Sequence, residues 1–97
     1  MSIVVKHDKT KHQFTSEVEG KIAKLDYLVM PDGKILDYVS TYVPPELRGR
    51  QIAGQIVKAA LEYAKENKLR VIPSCSFVQA YIEGHPEYQE VVVEKVY

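Results

Sequence analysis

Apolar and polar positions recur with two different periods along this chain, and the switch between them separates a strand-rich first half from a helical centre. Ile3 to Val5 reads as a short strand, followed by the polar turn His7-Asp8-Lys9-Thr10-Lys11 and a second strand over Gln13 to Val18. Glu19-Gly20 turns the chain into a third strand, Ile22 to Met30. Pro31-Asp32-Gly33-Lys34 then closes onto a fourth, Ile35 to Val43, with proline and glycine where a type I turn takes them. Four consecutive strands joined by tight turns predict an antiparallel meander. Ile52, Ala53, Ile56, Val57, Ala60 and Ala64 then recur at helical spacing, which predicts a helix from about Arg48 to Asn67 that buries this face and exposes Lys58, Glu62, Lys65 and Glu66. Leu69 to Pro73 is a short apolar strand, parallel to the fourth because a long helix precedes it. Phe77, Tyr81 and Ile82 mark a second, shorter helix that stops at Gly84-His85-Pro86, and Val91 to Val96 is an edge strand or a tail packed on the sheet. The fold class expected is α/β (α+β): a mixed, mostly antiparallel sheet with a central β-α-β crossover.

Composition narrows what this scaffold can do. The 97 residues suit a single domain, 1–97, with one core. Thirteen basic and thirteen acidic residues cancel, so no field across the molecule collects nucleic acid or an anionic membrane, and any anion site must be local. Cys75 is the single cysteine, which excludes an internal disulfide and a paired-cysteine zinc pattern. His7, His12 and His85 are scattered, so no metal is expected. No stretch reads as a signal peptide or reaches the roughly 20 apolar residues of a membrane span. A cytoplasmic location is the expectation.

The segment from Pro44 to Gly54, Pro-Pro-Glu-Leu-Arg-Gly-Arg-Gln-Ile-Ala-Gly, carries the candidate chemistry. It joins a strand end to a helix start, where the first N–H groups lack intrahelical partners and the helix dipole is positive. Arg48 and Arg50 add two charges beside those groups, so an anion such as a diphosphate fits there. A glycine turn with an arginine also opens many helices for purely local reasons.

Together with the element order, this turn resembles the GNAT superfamily of acetyl-CoA-dependent N-acetyltransferases. That family carries [Gln/Arg]-x-x-Gly-x-[Gly/Ala] before its main helix, and this chain has Arg48-Gly49-Arg50-Gln51-Ile52-Ala53, with Gln51 where the family prefers glycine. A group of very short members is closer still: it has Val-Pro-x-Glu-Leu-Arg-Gly and, after the helix, Ile-Pro-x-Cys-x-Phe. Here these read Val43-Pro44-Pro45-Glu46-Leu47-Arg48-Gly49 and Ile72-Pro73-Ser74-Cys75-Ser76-Phe77. The resemblance implies that coenzyme A lies on Thr41, Tyr42 and Val43 of the fourth strand and on Arg48, Gly49, Arg50, Gln51, Ile52, Ala53, Gly54 and Gln55. It also implies that the fourth and fifth strands splay to admit pantetheine as an added strand, and that the N–H of Val43 helps hold the oxyanion. Pro44 and Pro45 end the strand without offering competing donors.

Cys75 falls past the fifth strand at a helix start, a place that lowers thiol pKa values. By the resemblance it lies near the acetyl group, either accepting it or protonating the departing thiolate. By itself a cysteine beside Ile72 and Phe77 is also ordinary core. Tyr81 resembles the tyrosine that is the general acid of longer family members, and also has a packing role one turn after Phe77. Relatives often carry His-Thr and an acid near the end of the fourth strand, where this chain has Ser40-Thr41-Tyr42; either a water-linked base such as Asp37 does the work, or amine acetylation is slow, or the amine arrives already deprotonated.

The function expected is transfer of acetyl from acetyl-CoA to an amine of a small molecule or protein, by a monomer or weak dimer. The alternative is a CoA-binding module without efficient catalysis. A nucleic-acid-binding reading is opposed by the zero net charge and the lack of stacking aromatics.

Overall fold

A computed structural model of the chain describes residues 2–93. Strands β1 (Lys6–Asp8), β2 (Gln13–Val18), β3 (Lys21–Val29), β4 (Ile35–Tyr42) and β5 (Arg70–Ile72) form one sheet in the order β1-β2-β3-β4-β5. The first four pair antiparallel, whereas β5 runs parallel to β4, reached through helix α1 (Ile52–Glu66). Helix α2 (Ser76–Gly84) and a 3-10 segment, Pro86–Val91, follow. The fold is α+β with a mostly antiparallel sheet, as the periodicities predict.

The physical reasons are local. At the β3–β4 hairpin, Gly33 N–H donates to Met30 O at 2.8 Å and has φ of 71°, a value glycine adopts without a Cβ penalty. Alternation then sends Phe14, Ser16 and Val18 of β2, Ala23, Leu25 and Tyr27 of β3, and Leu36 and Tyr38 of β4 to one buried face. Helix α1 covers that face with Ile52, Ile56, Val57, Ala60, Leu61 and Ala64. Tyr38 is fully buried and donates its hydroxyl to Ala60 O at 2.6 Å, a bond that fixes α1 against β4. Tyr88, whose hydroxyl donates to Glu62, belongs to the same core.

Two expectations are corrected, and a third is met only as far as the described residues reach. The first strand is Lys6–Asp8 rather than Ile3 to Val5, because Ile3 and Val5 pack against the core under α1 instead of entering a ladder; Ile3 N–H donates to Gln55 Oε1 at 3.2 Å. The main helix begins at Ile52, not near Arg48. Gly49 at φ 82° and Gln51 at φ 61° have left-handed backbones that no α-helix continues through, and Pro45–Leu47 forms its own 3-10 turn. In the final stretch, Val91 ends the second 3-10 segment and Val92 makes a single parallel bridge to Val71. The rest of that expected strand, 94–96, lies outside the described residues.

Two irregularities of the sheet give its β4 end an unusual shape. Strand β5 pairs with β4 only from Ile35 to Asp37, after which Cys75 N–H donates to Tyr38 O and the two strands part. Strand β4 runs on to Tyr42, still paired to β3 at Lys24. A bulge also interrupts β3 and β4: Tyr27 faces Tyr38 and Asp26 faces Ser40, so Val39 is the extra residue. Such a bulge re-aims the residues after it.

Candidate cofactor cleft and thiol

Where β4 and β5 part, a cleft of about 380 Å³ opens between the end of β4, the loop before α1, and α2. Thr41, Tyr42 and Val43 form its strand wall; Arg48, Gly49 and Gln51 its loop wall; Ile52, Ala53 and Gly54 its helical end; and Phe77 closes it from α2. The first N–H groups of α1, at Ile52, Ala53 and Gly54, have no acceptor four residues back within the helix. No side chain caps them, since the residue ahead of the helix, Gln51, makes no side-chain cap bond. Uncapped amides at a positive dipole end, opening on a cleft, suit a diphosphate.

The two arginines of this turn divide. Arg48 lines the cleft and donates from Nε to Val43 O at 3.0 Å, which ties the loop to the strand end. Arg50 lies outside it, in an ion pair with Glu19 of the β2–β3 turn and with a further bond to Glu46 O at 3.3 Å. Gln51 holds a left-handed backbone at a cost of about 1–2 kcal/mol relative to glycine. Glycine would adopt this left-handed φ of 61° without that cost.

Cys75 is the residue ahead of α2, with Sγ 3.4 Å from the Thr41 hydroxyl on the cleft wall. Partial burial pushes its pKa up, but the Thr41 hydroxyl and the backbone amides of Val78, Phe77 and Thr41 outweigh that and hold the thiol below its ordinary value. The result is a half-buried thiol that gives up its proton more readily than an ordinary cysteine. Tyr81 lies farther along α2, stacked on His85 with centroids 3.9 Å apart, and lines a neighbouring cleft with Gln51, Gly54, Gln55 and Phe77. Burial first, then Glu87 and Glu62, raise its pKa, so its hydroxyl stays protonated.

Ser40 donates to Asp26 Oδ2 at 3.2 Å, and Asp26 also accepts from Gln13 Nε2 at 2.8 Å and lies 3.6 Å from the Lys24 ammonium. Sequence reasoning missed Asp26. Counting back from the Pro31–Gly33 turn puts Asp26 opposite Val39, and it is the bulge that sets Asp26 against Ser40, one ladder step from Thr41, so the sequence carried no signal for this pair. Asp37, alternating with buried Leu36 and Tyr38, projects from the other face of the sheet, where its Oδ1 is buried without a hydrogen-bond partner. Among the described residues no three His, Cys, Asp or Glu side chains converge as a metal site, and no helix is long and apolar enough to cross a membrane.

Comparison with known proteins agrees with this geometry. Residues 13–91 match the family profile described as GCN5-related N-acetyl-transferase. The chain is 34% identical to Protein NATD1 of Danio rerio over 92 residues, covering 92% of this chain and 84% of that protein. It is 36% identical to Protein NATD1 of Homo sapiens over 85 residues, covering 87% and 75%. A GCN5-like protein from Staphylococcus aureus, solved in solution by NMR, superposes with a TM-score of 0.71 at 27% identity, covering 97% of this chain and 91% of that one.

Proposed function

The chain belongs to the GCN5-related N-acetyltransferase family, and from that premise we propose that it transfers acetyl from acetyl-CoA to a primary amine. The observation that carries this reading is the uncapped start of α1 opening on the same cleft as the end of β4 that β5 leaves unpaired on one side, with the Cys75 thiol 3.4 Å from the cleft wall. Acetyl-CoA would supply a thioester carbonyl as electrophile. The amides of Ile52, Ala53 and Gly54, with the remaining donors of Arg48, hold its diphosphate. Thr41, Tyr42 and Val43 offer a strand edge beyond the β5 ladder, onto which an extended arm pairs as an added strand.

Cys75 stands beside this edge as the group that accepts the acetyl or returns a proton to the departing sulfur, and its lowered pKa favours acceptance. Tyr81 is the second candidate donor, one cleft away. On the opposite face Asp26, with Ser40, attracts a cationic amine such as an exposed lysine or a small polyamine. The setting proposed is cytoplasmic, the state a monomer or weak dimer.

Titration calorimetry with acetyl-CoA, paired with intact-mass measurement after incubation, tests this reading. Saturable heat and a gain of one acetyl group that vanishes in Cys75→Ala are expected. Absence of binding at millimolar acetyl-CoA refutes the cleft assignment. Binding with transfer unchanged in Cys75→Ala but lost in Tyr81→Phe moves the chemistry to the tyrosine.

A further inference from the structure

The outward side chains of the sheet carry an ordered charge pattern. Helices α1 and α2 bury their apolar residues in one core, on the face of the sheet that holds Phe14, Leu25 and Tyr38, and the outward side chains of β1 to β4 are left half-buried or exposed. The ladder sets His7, Phe14, Leu25 and Thr41 in one row across these strands, on the core side. Flanking that row, and pointing outward, Lys6, Thr15, Lys24 and Tyr42 pair in register on one side. Asp8, Gln13, Asp26 and Ser40 pair in register on the other. The first of these rows holds two cations and no carboxylate, the second two carboxylates and no cation. One step farther along β3, Ile22 stands beyond the basic row at 55% exposure and Leu28 beyond the acidic row at 53%.

A half-turn about an axis parallel to the Leu25 row, just outside the sheet, exchanges the basic and acidic rows. Two copies laid face to face across that axis set Lys6 against Asp8, Lys24 against Asp26 and Tyr42 against Ser40, each contact made twice. The same rotation lays Ile22 on Leu28. Every group therefore meets its complement, as an isologous contact requires. Lys24 and Asp26 already lie 3.6 Å apart within the chain, so their four charges in a pair of copies alternate in sign. The carboxylates beyond the rows do not collide: Glu17 is on β2 and Asp37 on β4, which keeps them two strand spacings, about 10 Å, apart after the rotation. Sheets that pack face to face keep their strands within about 30° of each other, a small divergence for rows two residues apart. The patch, four strands about 4.8 Å apart by the span from Ile22 to Leu28, covers roughly 400 Å² per copy, half of a standard interface. An area of that size holds a weak dimer.

We propose that this face is a self-docking surface through which two copies of the chain associate weakly and reversibly, their β3 strands antiparallel across the axis. Association covers Asp26 and Ser40, so it withdraws the acidic row from amines in concentrated solution and frees it on dilution. It does not depend on the acetyl-CoA reading, since α1 packs on the other face of the sheet. Sedimentation equilibrium tests it on wild type, Lys24→Asp, Asp26→Lys, the variant that combines both, and an equimolar mixture of the two single variants. Wild type is expected to dimerise at low ionic strength with a Kd of roughly 0.1–1 mM, and more weakly in high salt. Each single reversal sets like charges together twice and should weaken self-association by about fivefold or more. The mixture should form a heterodimer, because one variant then presents two acidic positions to the other's two basic ones. The combined variant restores opposite charges and should return to within about threefold of wild type, which separates lost complementarity from a damaged fold. A wild type still monomeric at about 1 mM, a dimer indifferent to both reversals, or a mixture that forms no heterodimer overturns the assignment.

Discussion

Ser16 and Thr41 show how one hydroxyl can be a liability or a tool. Ser16 is 1% exposed on the core face of β2, and its Oγ is buried without a partner. Taking a hydroxyl out of water without replacing its hydrogen bond is unfavourable. Ser16→Ala is therefore expected to stabilise the fold by about 1 kcal/mol, read as a higher urea midpoint at unchanged slope. Thr41 has found a partner in Cys75. Its hydroxyl favours the thiolate, so Thr41→Val removes a lowering influence and lets burial raise the thiol pKa. Less thiolate at neutral pH results, and alkylation by iodoacetamide should slow there and shift its pH midpoint upward. A profile unmoved by Thr41→Val would separate the two residues.

The start of α1 sets helix stability against ligand access. Gly54 lies in the first turn of the helix, where glycine costs about 1 kcal/mol relative to alanine. A Cβ added there meets the Tyr81 ring at 3.7 Å, an ordinary contact, yet it projects where both clefts meet. Gly54→Ala is expected to raise Tm by about 4–8 °C while weakening acetyl-CoA binding. Improved binding together with improved stability would refute the account of the clefts. The loop ahead is braced from a distance, since Arg50 pairs with Glu19 and Lys21 pairs with Glu46 at 3.4 Å. These surface pairs contribute little stability individually and act by fixing loop direction.

Across the whole molecule, His7 ties four elements together. Its ring stacks on Phe14 at 4.1 Å, meets Tyr63 of α1 edge-on at 4.4 Å, and places Nε2 2.6 Å from the Tyr27 hydroxyl. Burial, and then Lys9, lower its pKa below the ordinary histidine value of 6.5, against a raising influence from Asp8. The unfolded chain then binds the proton more tightly than the fold does. The stability His7 contributes is present above pH 6.5 and is lost as pH falls through 6.5 toward the folded value. His7→Phe, which keeps the aromatic stack, should flatten the fall in urea midpoint over that acid range; an equally steep fall would assign it to other groups.

The hydrophobic period of each segment depends on neighbours a few positions away, so the sequence by itself determined the meander, the amphipathic helix and the parallel return strand. The turn residues around Gly33 and the run from Pro44 to Gly54 were legible for the same reason, and the motif around Arg48 and Cys75 pointed to the cleft. Tertiary structure decided the rest. The bulge that sets Asp26 against Ser40, the pairing of Arg50 with Glu19 across 31 positions, and the approach of Thr41 to Cys75 across 34 depend on how distant strands register and where β5 stops. Local periodicity says which face of an element is buried; it carries no information on which distant residue that face will meet, because the choice is made only when the sheet closes and the core packs.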